Sequence, residues 1–145
     1  MFKKILFPTD FSDVSKKAVK YIKQLKGAGV QEVIVLHVID EKEWPVPSRV
    51  PDQYLQIKAQ IEKEVAKEMA AVEAGMTADG FHVKLKVKTG NPFTEIMAMA
   101  AKEKVSLIVV GSHGKSNIKE ILMGSVSENV IRHAKAPLLV ISREI

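Results

Sequence analysis

Five short apolar runs, separated by segments with helical periodicity, constrain the fold of this 145-residue chain more than any other feature. These runs predict β-strands at Lys4–Phe7, Val33–Val38, Phe81–Lys88, Leu107–Val110 and Leu138–Ile141. Strands that alternate with helices form a parallel sheet, because each helical crossover returns the chain to the end where the previous strand began. The pattern therefore predicts an open α/β sheet with helices on both faces.

Helical signals fill the intervals between the apolar runs. Ser12 is a typical N-cap residue before a segment whose apolar side chains recur every three or four positions, and this segment ends near Gly27–Gly29. Asn91 and Pro92 are typical of the N-cap and the first position of a later helix. The longest helix is predicted from one apolar face, which consists of Tyr54, Ile57, Ile61, Val65, Met69, Val72 and Met76.

The third strand has a different pattern from its neighbours. Strands two, four and five are continuous apolar runs, as expected when helices cover both faces of a strand. In the third strand, apolar residues alternate with His82, Lys84, Lys86 and Lys88, so that one face is polar. Lysines are typical of an unpaired strand, and we therefore predict that the third strand lies at an edge of the sheet.

Composition narrows the classes of protein to which the chain can belong. It has no cysteine, which excludes a disulfide framework and thiolate metal ligands and fits a reducing cytoplasm. The apolar stretch at the N-terminus ends at Pro8 after three residues, too short for a signal peptide, and no run approaches the roughly 18 apolar residues of a membrane span. The net charge of +5 comes from dispersed lysines without interleaved aromatic residues. We expect a cytoplasmic protein, with one domain over residues 1–145 and no nucleic-acid or membrane partner.

A glycine-containing loop follows the fourth strand and precedes the last helix. Gly111 and Gly114 are followed, after nine further residues, by Gly124 and Ser125. Glycines allow the backbone to approach an anion closely, and free N–H groups at a helix start point toward it, so this arrangement predicts a phosphate-binding loop. The alternative is a loop without a ligand, in which Ser125 and Glu128 form a capping box. The segment is not a Walker A loop, because that motif requires a glycine where this chain has Val109.

The turn after the first strand is a second candidate part of the same site. In an open parallel sheet, ligands bind at the carboxyl ends of the strands, at the point where the strand order reverses. If the first strand is central, Asp10 could accept hydrogen bonds from ribose hydroxyls or help to hold a metal ion. The alternative is that Asp10 and Ser12 only shape the turn and cap the following helix.

The four histidines differ in their predicted surroundings, and no catalytic motif accompanies them. His113 lies within the glycine loop and could contact a phosphate, whereas His37 is predicted to be buried with its polar atoms satisfied. His82 and His133 are predicted at the surface, and no pair has the spacing of zinc ligands. The chain has no Gly-x-Ser-x-Gly motif and no evident acid–base pair, so no catalytic residue is assigned.

At these motifs the chain resembles the universal stress proteins, in particular their nucleotide-binding branch. The matching segments are residues 7–12, Leu36–Val38, Gly90–Pro92, the glycine pattern with Ser127 and Glu128, and Pro137–Ile141. The resemblance covers essentially the whole chain. It implies a flavodoxin-like, Rossmann-like sheet with strand order 3-2-1-4-5, which agrees with the edge position predicted independently for the third strand.

The resemblance also implies a ligand and the residues that hold it. Pro8, Thr9, Asp10 and the main chain around Val38 would surround the adenine and the ribose, and Gly111 would lie against the ribose. The phosphates of ATP or another adenine nucleotide, with Mg²⁺ or Mn²⁺, would be held by His113, Gly114, Gly124, Ser125, Val126 and Ser127. The fifth strand would be the other edge of the sheet, where its apolar faces need a cover, and the resemblance supplies one in a homodimer through Leu138–Ile141.

Three functions remain open at this point. The first is a dimeric regulatory module of the stress response that binds ATP and signals through its bound state. The second is a slow ATPase or nucleotide-dependent transferase, and the third is a dimeric scaffold that uses no nucleotide. The long connection Glu41–Asp52 is either a lid over the site or a surface loop.

Overall fold

The computed structural model describes residues 2–44, 53–112 and 125–142, which form five strands and four α-helices in strict alternation. Two short 3₁₀ turns, Lys26–Ala28 and Glu41–Glu43, follow α1 and β2. The elements are β1 Lys4–Pro8, α1 Asp13–Leu25, β2 Glu32–Asp40, α2 Tyr54–Ala78, β3 His82–Gly90, α3 Pro92–Glu103, β4 Leu107–Gly111, α4 Ser125–His133 and β5 Leu138–Ile141.

The strands form one parallel sheet in the order β3-β2-β1-β4-β5. The predicted order, the central position of β1 and the edge position of β3 are confirmed. Chain order reverses between β1 and β4, because β2 and β3 lie on one side of β1 and β4 and β5 lie on the other. This is the point at which ligands bind in open α/β sheets.

Two apolar layers cover the two faces of the sheet. On one face, Ala18 and Ile22 of α1 and Met69 and Met76 of α2 pack against alternate residues of the central strands, such as Phe7. On the opposite face, residues of α3 and α4 pack against the other set of strand residues. That second layer contains Leu6, Ile34, Leu36, Ile96, Met99, Val105, Ile108, Val110 and Val130. The expectation of helices on both faces is therefore confirmed.

The predicted helix starts are also confirmed by their side-chain caps. The Ser12 hydroxyl accepts a hydrogen bond from the main-chain N–H of Ser15 at 3.3 Å, at the start of α1. The Asn91 side-chain oxygen accepts one from Thr94 N–H at 3.0 Å, and Pro92 is the first residue of α3. Each cap satisfies a donor that has no partner within its helix.

Some element boundaries and one buried face differ from the sequence-based prediction. β3 starts at His82 rather than Phe81, because the N–H of Phe81 bonds to the carbonyl of Met76 and its ring is buried in the core. In α2 the buried residues are confined to Val65, Met69 and Met76, and Leu55 near its start is 75% exposed. On that long apolar face, the residues from Ile61 onward pack against the core. No helix within the described ranges combines the length and apolarity needed to cross a lipid bilayer.

Candidate functional site

A cavity of about 440 Å³ lies at the carboxyl ends of β1, β2 and β4, at the point where strand order reverses. Small-molecule sites in proteins typically have volumes of about 300–1,000 Å³. The cavity is lined by Pro8, Thr9, Asp10, Ser12, Ser15, Leu36, His37, Val38, Asp40, Glu43, Pro92, Ile96, Val110, Gly111, Ser125, Val126, Ser127 and Val130. Apolar walls with a few polar groups are typical of a ligand site.

The cavity brings together the site residues that the sequence predicted from distant parts of the chain. Those that line it are Pro8, Thr9, Asp10, Val38, Gly111, Ser125, Val126 and Ser127. His113, Gly114 and Gly124, predicted from the same motif, lie outside the described residues. The grouping is a result of the sheet topology, and contact of these residues with a nucleotide stays a prediction.

The turn after β1 is held by hydrogen bonds from its own side chains. The Thr9 hydroxyl oxygen accepts from the N–H of Phe11 at 3.1 Å, and Asp10 Oδ1 accepts from the N–H of Ser12 at 3.0 Å. Between these two bonds, Phe11 has a φ of 64°, in the left-handed region that costs a non-glycine residue about 1 kcal/mol or more. These hydrogen bonds hold Asp10 at the cavity wall, next to the strained backbone of Phe11.

His37 connects β2 to this turn. It is only 6% exposed, and its Nδ1 lies 2.7 Å from the carbonyl oxygen of Thr9. Because a carbonyl can only accept, Nδ1 must carry the proton of this hydrogen bond. The imidazole also stacks on the Phe11 ring, with a centroid distance of 4.5 Å. The prediction that His37 is a buried histidine with a hydrogen-bond partner is confirmed.

On the opposite side of the cavity, β4 and α4 meet through a side chain. The hydroxyl of Ser127 donates a hydrogen bond to the carbonyl oxygen of Gly111, the last residue of β4. Helix α4 is described from Ser125 to His133, and residues 113–124 before it lie outside the described ranges. Glu128 pairs with Arg132 at 2.9 Å, and the choice between a phosphate-binding loop and a capping box stays open.

The two sides of the cavity differ in their electrostatic character. Asp10, Asp40 and Glu43 line the side formed by β1 and β2. The first turn of α4 lines the other side, and a helix start presents unpaired N–H groups and a partial positive charge. None of the described lining residues is Lys or Arg. A phosphate chain would therefore be favoured at α4, and hydroxyl or amino donors would be favoured near the carboxylates.

Several lining residues were not singled out from the sequence. Ser15 follows the helical period of α1 and could have been placed on the inner face of that helix. Ile96 was predicted on the buried face of α3, but not as part of a ligand site. Asp40 was overlooked because the second strand was predicted to end at Val38, whereas β2 continues to Asp40. Glu43 lies in the 3₁₀ turn that begins the Glu41–Asp52 connection, and residues 45–52 of that connection lie outside the described ranges. The choice between a lid and a surface loop therefore stays open.

The other histidines agree with the surface positions predicted for them. His82 and His133 are both exposed, and His133 contacts the edge of the Phe93 ring at a centroid distance of 5.5 Å. Within the described ranges, no group of three or more His, Asp or Glu side chains could surround a metal ion.

The family model for the universal stress proteins matches residues 1–142 of the chain. This chain belongs to the universal stress protein family. Universal stress protein MJ0577 of Methanocaldococcus jannaschii is 39% identical to it over 157 aligned positions, which cover 99% of this chain and 97% of that relative. The solved structure of MJ0577 has a TM-score of 0.91, with 42% identity, and the match covers 99% of this chain and 98% of that structure.

Two more distant structures of universal stress proteins share the fold. One was solved in complex with cAMP and matches with a TM-score of 0.67 and 24% identity, over 97% of both chains. The other, from Arabidopsis thaliana, was solved with AMP bound and matches with a TM-score of 0.64 and 18% identity, over 98% of this chain and 92% of that one. At these levels of identity, the likeness shows the flavodoxin-like α/β fold.

Proposed function

We propose that this universal stress protein binds an adenine nucleotide, with ATP as the principal ligand, and acts as a dimeric regulatory module of the stress response in the cytoplasm. One observation carries the nucleotide part. A single cavity is lined both by the acidic turn after β1 and by the first turn of α4. Such a site can hold a ligand that has hydroxyl and amino donors at one end and phosphates at the other.

The described lining residues carry chemical groups that suit an adenine nucleotide. Asp10 and Asp40 offer acceptors to ribose hydroxyls or an exocyclic amine, and Val38 of β2 lines the same cavity. The N–H groups at the start of α4 suit phosphate oxygens, and the glycine pattern of Gly111, Gly114 and Gly124 suits close backbone approach. Mg²⁺ or Mn²⁺ would then be held mostly by the phosphates themselves and water, as is usual for nucleotide-bound Mg²⁺.

The solved relatives support an adenine nucleotide as the ligand. Two universal stress proteins with this fold were solved with AMP or cAMP, which are both adenine nucleotides.

The dimer part of the proposal rests on β5. This strand lies at an edge of the sheet, and its apolar residues belong to both layers of the core, with Leu139 on one face and Leu138 and Val140 on the other. An edge strand with two apolar faces attracts another strand, and two copies related by a two-fold axis would cover each other. β3, the opposite edge, carries lysines that oppose such pairing.

The test of nucleotide binding starts with the freshly purified protein. The protein is denatured, and the supernatant is analysed by ion-pair chromatography with mass detection. Near-stoichiometric ATP supports a tight regulatory site, whereas ADP or AMP alone would favour a hydrolytic enzyme. If the protein is empty, calorimetric titration with Mg-ATP decides, and absence of binding at millimolar ATP would overturn the proposal in favour of a scaffold.

A further inference from the structure

The polar groups of Thr9 are shared among three elements of the fold. Its N–H donates to the carbonyl of Leu36 at 2.8 Å, which extends the pairing of β1 with β2 by one residue. Its carbonyl accepts from His37, and its hydroxyl accepts from the N–H of Phe11 and from the hydroxyl of Ser15 in α1. Thr9 therefore joins the turn to β2 and α1. Apart from the main-chain bond to Leu36, its link to β2 is the hydrogen bond with the imidazole of His37.

This link bears on the strained part of the turn. Phe11 adopts a φ of 64° without being glycine, and such a conformation persists only when the surrounding contacts hold it. His37 provides two of those contacts, the hydrogen bond to Thr9 and the stacking on the Phe11 ring. Asp10 lies between the two residues that His37 holds, with one carboxylate oxygen bonded to Ser12 N–H.

We propose that His37 is a positioning residue for the nucleotide site. It holds the strained Thr9–Ser12 turn from β2 and thereby keeps the Asp10 carboxylate directed for ligand binding. This inference rests on the proposed function, because it concerns the same cavity, but it also makes a statement about the ligand-free protein. Without His37, the turn would relax, and binding would have to include the free energy of ordering it again.

The chemistry at this position is specific. The side chain must donate to a buried carbonyl and must also present a flat face to an aromatic ring. Leucine would fill a similar volume but would leave the Thr9 carbonyl without this donor, which is unfavourable for a buried acceptor. Asparagine can place its amide N–H₂ near the position of Nδ1, and so retains the hydrogen bond while losing most of the stacking surface.

The experiment compares His37→Leu and His37→Asn, with Val33→Ala as the matched control. Val33 lies in the same strand and is fully buried, but it does not line the cavity. NMR hydrogen exchange of the Phe11 and Ser12 amides is measured in the ligand-free proteins, and Mg-ATP affinity is measured by calorimetry. Asp10→Ala and the double variant His37→Leu/Asp10→Ala complete a double-mutant cycle.

We expect His37→Leu to accelerate exchange of both amides and to weaken ATP binding about tenfold. His37→Asn should keep most of the amide protection and most of the ATP affinity of the wild type. Val33→Ala should lower stability without either effect. In the Asp10→Ala background, His37→Leu should cost almost nothing further, because its effect passes through Asp10. Unchanged exchange in His37→Leu, or full additivity in the cycle, would overturn the positioning role. If wild type fails to bind ATP, the proposed function falls, and amide exchange alone decides whether His37 holds the turn.

Discussion

The hydroxyl of Ser127 donates a hydrogen bond to the carbonyl oxygen of Gly111, and so joins the first turn of α4 to the last residue of β4. The two residues are 16 positions apart in the chain and both line the cavity. A helix start can favour an anion only if it is held in place, since its attraction falls off within the first turn. The bond between Ser127 and Gly111 provides that attachment.

Replacing Ser127 by alanine should therefore weaken ATP binding. We expect a loss of about five- to tenfold, because one hydrogen bond that orients the start of α4 is removed. Ser127→Thr keeps the hydroxyl and serves as the control. Calorimetric titration with Mg-ATP compares the three proteins. Equal affinity of Ser127→Ala and wild type would mean that the hydroxyl does not orient the phosphate end of the site.

Asp10 is the carboxylate expected to contact the ribose. Asp10→Asn keeps an oxygen for the N–H of Ser12 but removes the charge, and we expect about tenfold weaker ATP binding from the loss of a charge-assisted hydrogen bond. The matched control is Glu41→Gln, which removes one charge from an exposed residue close to the site that does not line the cavity. If both variants lose affinity equally, the effect is one of overall charge.

The proposed dimer can be tested by placing a charged side chain on β5. Val140→Lys places a charge on β5 and should convert the dimer to a monomer in sedimentation velocity, because burying an unpaired ammonium at the interface is unfavourable. Val87→Lys is the control, because Val87 lies on β3 at the opposite edge of the sheet and is already 46% exposed. A chemical denaturation curve of each variant shows that it is folded. A dimer that persists in Val140→Lys would contradict the β5 interface.

The ion pair between Lys4 and Glu103 should make stability depend on pH. Lys4 Nζ lies 3.2 Å from the Glu103 carboxylate, and its hydrogen bond holds the pKa of that carboxyl below the ordinary value of 4.5. A lowered pKa in the folded state means that the stabilisation is complete above pH 4.5 and is lost as the pH falls through the folded-state pKa.

Glu103→Gln is therefore expected to lower the free energy of unfolding at pH 7, by about 0.2–1 kcal/mol for a partly exposed pair. As the pH falls through the lowered pKa of Glu103, the difference between variant and wild type should shrink toward zero, since the wild-type carboxyl becomes protonated. Urea denaturation at several pH values measures this. A difference that grows as the pH falls would have the wrong sign and would refute the assignment.

Much of the architecture could be predicted from local patterns. The alternation of strands and helices could be predicted because apolar runs and helical periods are short-range properties of the sequence. Ser12 and Asn91 mark helix starts through hydrogen bonds to residues three positions away. The alternating lysines of β3 identify an edge because they report which faces of a strand meet water. The strand order followed from this edge together with the family resemblance, and the sheet has that order.

Only the tertiary structure decided how the candidate site is assembled. The sequence and the family resemblance could nominate Asp10, Val38 and Ser127, but their meeting around one cavity depends on β1 lying between β2 and β4. The contact of His37 with Thr9, across 28 positions, and the left-handed φ of Phe11 leave no periodic signal in the residues. Helix starts depend on hydrogen bonds between near neighbours in the chain, and the polar face of an edge strand is visible in its own alternation of residues. A ligand site depends on contacts that exist only after distant segments have packed together.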